Sequence, residues 1–411
     1  MENWIHRRCL PGVAAAALVL ALALALAACG GGGSSSSGSG NTGGEATEAV
    51  TTTASSSEAG LAEAEKSLQT VYEGAGFKEP PSTSPKPAAG KSVWVIDTGL
   101  ASPSSAIWGE AAKEAGEELG WKVKLFDGEF NPAKWLEGVQ EAVAAHASGI
   151  VLIAVECGPI KAGLEQAHAA GVKVVAIQTA DCNEAEPNAK PLFDATVKYE
   201  PGDGSLKALV EAIDFAQADW ITVNTEAKAK IIIFESNQLL VLKWQDEAFA
   251  ERIAEVCPEC EVVDSIEFTV ADLTGPKLRQ ELEQALLQNP DANAVVAPFD
   301  DIIVSSGGDA AIRASGRSEE IAVVGATGLG PSFKEIESGE GLDATVTVPF
   351  VWEGWAAMDT MNRVFAGEPA ANSGISIGLV DKEHPPTNSS EYVPPVDFKA
   401  AYRKAWGVGG G

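Results

Sequence analysis

The chain has 411 residues, 45% of them hydrophobic, which is enough to bury a large core and suggests two or three domains. Its formal charge of −29, with no cluster of Lys and Arg anywhere, excludes a nucleic-acid partner, because phosphate backbones require a basic patch. A general acidity of this size reads first as solubility through self-repulsion.

Arg7 and Arg8 precede an uncharged apolar run from Val13 to Ala28, which falls short of the roughly 20 residues that a membrane-spanning helix needs. A basic start, a short apolar core and small residues before a cut site describe a secretory signal over residues 1–28. The tetrad Leu26-Ala27-Ala28-Cys29 resembles the lipobox of bacterial lipoproteins, which implies that Cys29 becomes the lipid-bearing N-terminus and that Cys9 is discarded. An uncleaved anchor helix is the alternative, and either way the remainder is expected outside the cytoplasm, tied to the cell membrane.

Residues 29–60, GGGGSSSSGSGNTGG and its Ser/Thr continuation, read as a flexible tether. Leu61, Leu68, Val71 and Tyr72 predict a short surface helix over Leu61 to Gly74, and Pro80, Pro81, Pro85 and Pro87 a stiff connector ending at Gly90. Then KSVWVID, KVKLFD, GIVLIA and VKVVAIQ alternate with helix-like segments across residues 91–182. These strands lack the polar alternation of a half-solvated sheet, so a parallel sheet covered on both faces is expected. KPLFDATVKY predicts a fifth strand, followed by a helix over Gly204 to Ala218.

The pattern resumes with strands KIIIF, EVVDSI, ANAVVAP, EIAVVG and LDATVTV, and with helices near 240–256, 276–288, 303–315, 331–338 and 352–366. Two serial runs of this kind predict two doubly wound lobes rather than a single sheet. The last helix and ISIGLV (375–380) can join either lobe; a Pro-rich tail and FKAAYRKAW, a possible terminal helix, close the chain. In open α/β sheets ligands sit at the carboxyl edge of the strands, which singles out Asp97 to Trp108, Asp127 to Asn131, Glu156 to Pro159 and Gln178 to Asn183.

Few motifs carry chemistry. GKS at Gly90 to Ser92 fails as a phosphate loop, since Pro85 stands where its first Gly belongs and a strand follows it. GATGLG (Gly325 to Gly330) opens a helix after a strand, where its N–H groups would suit an anion, yet its G-x-x-G-x-G spacing favours an ordinary turn. The four His residues are scattered, no G-x-S-x-G elbow occurs in the folded part, and the pair Asp300-Asp301 suits a loop or helix cap, so no enzyme, cofactor or metal site is predicted. Cys257-Pro258-Glu259-Cys260 has redox spacing, but it follows a helix, whose C-terminal dipole opposes a thiolate, and a structural disulfide is expected. Cys157 and Cys182 follow consecutive parallel strands and are expected to bridge in an oxidising compartment.

Together, the lipobox, the tether, the two lobes, and NPAKWLEGVQEAV, GIVLI, AGVKVVAI, QNPDANAVVAPFDD, IAVVG and EGWAAMDTMNRVFAGEP in that order resemble a substrate-binding lipoprotein of an ABC importer, of the ribose/galactose type I periplasmic-binding-protein family. The resemblance implies an α/β fold of two parallel-sheet lobes joined by a hinge. It divides the chain into 91–199 with about 349–373, then 200–348 with about 374–385, then a tail over 386–411. It implies a monomer that closes on a small polar ligand, a sugar or sugar derivative, and delivers it to an ABC permease in the membrane. A sensory receptor signalling to a membrane kinase or chemoreceptor is the alternative.

Carried over by position, the ligand set is Ser104, Ser105, Trp108 and Gln178 from the first lobe and Lys243, Phe299, Asp300 and Thr327 from the second. Ser102-Pro103-Ser104-Ser105 replaces the family's Asn-Pro and aromatics, Gln178-Thr179 its Asp-Arg pair, Phe299 a polar residue and Thr327 an Asp. Lys243 falls near its second-lobe Arg. The charged set that grips simple aldoses is depleted.

Overall fold

Short apolar runs ended by Gly, Pro or Asp become strands, and the longer amphipathic segments between them become helices. The computed structural model describes residues 45–409 apart from Pro187, with side chains from Ser57 onward. The signal segment 1–28, Cys29 and the tether up to Gly44 lie outside the described residues. Among the described residues no helix is long and apolar enough to cross a membrane.

β1 (Ser92–Asp97), β2 (Lys122–Asp127), β3 (Gly149–Ile153), β4 (Lys173–Ile177) and β5 (Ala195–Thr196) form an all-parallel sheet in the order β2-β1-β3-β4-β5. In the second sheet β6 (Lys230–Glu235), β7 (Glu261–Glu267), β8 (Ala294–Val296), β9 (Ala322–Thr327) and β10 (Ala344–Thr347) run parallel, and β11 (Gly378–Asp381) pairs antiparallel with β10. Its order is β11-β10-β9-β8-β6-β7. The first lobe's helices are α2 (Pro103–Glu118), α3 (Pro132–Ala144), α4 (Cys157–Ala169) and α5 (Cys182–Ala185), all following α1 (Glu45–Tyr72) in the chain. Then come α6 (Leu206–Asn224), α7 (Leu240–Val256), α8 (Lys277–Gln288), α9 (Asp300–Val304), α10 (Gly308–Ser315), α11 (Gly330–Ser338), α12 (Phe350–Ala366) and α13 (Phe398–Trp406).

Register positions the site. Asp97 pairs with Ile153, and Ile153 with Ile177, so β1, β3 and β4 end level and release their loops along one edge. Thr327 pairs with Thr347, so β9 and β10 end level and release their loops along one edge of the second sheet, while β8, whose Val296 pairs with Val324, stops earlier on the same side. After β10 the chain enters α12, which lies along α2, and returns through a bridge between Lys198 and Asn372 to form β11. One apolar cluster fills the outer face of each sheet, and a third, with Trp108, Trp352 and Trp355, runs between the lobes.

The two doubly wound parallel lobes are those expected, and five details differ. α1 starts at Glu45, not Leu61, because Ala and Glu recur after Gly44 and no Pro interrupts the segment. Gly60 is no tether residue, since a Cβ there would stand 2.1 Å from the Val256 carbonyl oxygen where α1 meets the end of α7. β2 is a half-exposed edge strand guarded by Lys122 and Lys124, whereas β3 is buried throughout. The fifth strand shrinks to Ala195–Thr196, with the Asp194 carboxylate taking the Val174 N–H, and the helix expected over 303–315 breaks at Gly307, which has φ 86°.

Candidate ligand-binding site

The carboxyl ends of the strands of both sheets enclose a cavity of about 210 Å³ between the lobes. From the first lobe, Pro103 starts α2 at a position where a missing N–H is harmless, and its first turns bring Ser104, Ser105 and Trp108 to the wall. Gln178 follows β4, Ala154 and Glu156 follow β3, and Phe130 follows β2. From the second lobe come Leu242 and Gln245 of α7, Phe299 and Asp301 at the start of α9, and Thr327 at the end of β9. Phe350, at the start of α12, meets Trp108 edge to face at 4.3 Å between centroids.

Strain gathers at this wall. Phe130, Ala154 and Gln178 have φ of 50°, 50° and 51°, and Thr327 has φ 130°. Non-glycine residues are seldom held there unless the surrounding structure insists, and such residues cluster at ligand clamps.

A buried carboxylate orients the first-lobe wall. Glu353, fully buried in the first turn of α12, accepts from Trp108 Nε1 at 2.6 Å and from Gln178 Nε2 at 2.8 Å. Burial pushes it up to about 7 against the pull of these donors. Across the cleft, Ser102 Oγ donates to Asp301 Oδ2 at 3.4 Å and Ser305 Oγ to Asp301 Oδ1 at 3.2 Å. Burial raises Asp301 as well. Glu156 is pushed up to about 7, chiefly by burial, while facing the Leu240 backbone N–H of the opposite lobe. Among the described residues that line the cavity there is no Lys, Arg or His. The wall therefore offers hydroxyls, amides, two carboxyls and aromatic faces, which is equipment for binding.

The structure brings Ser104, Ser105, Trp108, Gln178, Phe299 and Thr327 together at this wall. Lys243 and Asp300 go elsewhere. Lys243 lies on the exposed face of α7, one residue past the buried Leu242 and two short of Gln245. Asp300 is only 2% exposed and turns into the second lobe, where it accepts from the Gly328 N–H at 2.9 Å and Thr345 Oγ1 at 2.8 Å. That contact also explains GATGLG: the anion its backbone meets is an internal carboxylate. Its neighbour Asp301 takes the place at the wall.

Sequence reasoning missed Gln245, Asp301 and Glu353 as wall or supporting groups. Gln245 did leave a trace, being polar on the buried stripe of Leu242, Ala248 and Phe249. Glu353 left none, because nearly all of α12 is buried. The cysteines stand at disulfide distance, with Cα separations of 5.2 Å for Cys157–Cys182 and 5.3 Å for Cys257–Cys260. The first pair ties the start of α4 to α5 beside the cavity.

No curated protein matches the chain. Among solved structures it is similar to a sugar ABC transporter protein from Yersinia enterocolitica, with 15% identity, TM-score 0.64, and 79% of this chain and 97% of that one covered. A 5-methylthioribose transporter solute-binding protein from Thermotoga lettingae gives 15%, 0.61, 80% and 100%. An ABC transporter solute-binding protein from Mycobacterium smegmatis, with bound glycerol, gives 22%, 0.60, 74% and 100%. These likenesses support the fold, two parallel-sheet lobes of type I. The family model described as "Periplasmic binding protein domain" matches residues 100–369, well over half of the chain, and the protein therefore belongs to the periplasmic-binding-protein domain family.

Proposed function

We propose that this protein is a lipid-anchored, extracytoplasmic solute receptor that holds a sugar or sugar derivative between its lobes and delivers it to an ABC permease. The observation that carries this reading is the cavity at the facing carboxyl edges of two sheets, with Ser102 and Asp301 joined across it. Its size supports a single small ring, because about 150 Å³ suffices for benzene and this cavity is about 210 Å³. Relatives of the same fold are described with bound 5-methylthioribose, allitol and glycerol. Leu26 to Cys29 supports the lipid anchor, and two disulfides suit an oxidising compartment.

A thermal-shift screen of sugars, polyols, nucleosides and amino acids tests the reading. A ligand at about 100 times its Kd should stabilise the protein by about 2.7 kcal/mol. Calorimetry should give one site per chain, weakened by Gln178→Ala and by Phe299→Ala. A ligand indifferent to both substitutions would place binding outside this cavity. Labelled fatty acid should enter the wild type and not Cys29→Ser; equal labelling would refute the anchor.

A further inference from the structure

Building on the solute-receptor reading, we infer that the ligand carries a protonated amino group on a small, partly apolar ring. Three independent features of the cavity favour an ammonium over a neutral or anionic group.

First, among the described residues the only ionisable wall groups are Glu156 and Asp301, one from each lobe, and no lining residue is basic. An anion would meet two carboxyls and no counter-charge, whereas a cation would meet acceptors on both sides. Second, Gln245 is only 6% exposed, lines the cavity, and has an Oε1 without a donor. No protein donor reaches this oxygen among the described residues, which leaves it as an acceptor. A buried acceptor without a donor is unfavourable, so a ligand bringing N–H groups has a partner here. Third, Trp108, Phe130, Phe299 and Phe350 all face the space. Aromatic faces attract ammonium groups, and the same rings cover an apolar ring body. Burial has already raised both carboxyls, Glu156 to about 7, as expected for acids lacking a cationic partner. This wall chemistry is separate from the surface charge of the chain as a whole.

The test uses two trios of probes on the mature protein: glucosamine, glucose and glucuronate, and cyclohexylamine, cyclohexanol and cyclohexanecarboxylate. Within a trio the ring is constant and only the charge changes. Calorimetry near pH 7 should show the amine binding at least about tenfold tighter than its alcohol, or about 1.4 kcal/mol, with the carboxylate weakest. Glu156→Gln and, separately, Asp301→Asn should each reduce that ratio, which a general loss of binding would leave unchanged. Unliganded melting temperatures of both variants confirm that they are folded. If the alcohol or carboxylate of either trio binds as tightly as the amine, the inference falls and the receptor reading stands. If none of the six binds, the inference falls, and the receptor reading is decided by the wider screen.

Discussion

Replacing Asp300 by Ala should destabilise the second lobe, and more at acidic pH than at neutral pH. The Asp300 carboxyl accepts from the Gly328 N–H at 2.9 Å and Thr345 Oγ1 at 2.8 Å, with the Ser332 hydroxyl also on it. Truncation leaves these buried donors unpaired, at about 1–3 kcal/mol each. Opposing that loss, burial pushes the carboxyl up from an ordinary 3.8 to about 6, so the wild type carries a desolvated charge at neutral pH. A gap of that size is worth about 3 kcal/mol, which the Ala variant no longer bears. Over the three donors the loss is about 3–9 kcal/mol, so the net cost near neutrality is roughly 0–6 kcal/mol. Because the folded value lies above the unfolded one, the stabilisation linked to this proton is complete below 3.8 and is lost as pH rises through about 6. Between about pH 7.5 and 4.5 the wild type regains roughly 2 kcal/mol from this group and the variant none, so the difference between them should widen by that amount. Urea unfolding of both proteins at the two pH values, followed by tryptophan fluorescence, measures it, and all other titrations cancel in the difference. A cost independent of pH, or unchanged stability with a ligand bound tenfold more weakly, would refute the inward placement of Asp300.

Gly60→Ala should lose about 1–3 kcal/mol on overpacking, since its Cβ would fall 2.1 Å from the Val256 carbonyl oxygen; an unchanged melting temperature would mean that α1 is not seated on α7. Trp108→Phe keeps the ring against Phe350 but removes the 2.6 Å donor to Glu353, and should cost about 1–3 kcal/mol by denaturant unfolding. Lys243→Ala should leave ligand affinity within about twofold by calorimetry, because the side chain is exposed outside the cavity; a tenfold loss would put α7 in the wrong register. Protein from an oxidising compartment should give no alkylation of Cys157, Cys182, Cys257 or Cys260 by mass spectrometry without reductant. Reducing the Cys157–Cys182 bridge, which closes 25 residues, should lower stability by about 3 kcal/mol, and reducing Cys257–Cys260 by less.

The sequence by itself determined the strands, because an apolar run such as GIVLI or KIIIF has few ways to bury both faces other than a covered parallel sheet. Parallel order then placed the loops after β1, β3 and β4 at one edge, and with them Ser104, Trp108, Gln178 and the two cysteines of adjacent loops. These are consequences of local pattern and of one topological rule. Tertiary structure decided what local pattern cannot encode. At the turn into α9, Asp300 and Asp301 are chemically the same and adjacent; the Gly328 N–H and Thr345 hydroxyl drew the first inward and left the second to the wall. Glu353 orients Trp108 from 245 residues away, a pairing that exists only because α12 returns to lie on α2. Lys243 and Gln245, two residues apart on α7, are separated by the helix's own rotation, about 200° between them, and only the packing of that helix against its lobe chose which of the two met the ligand space.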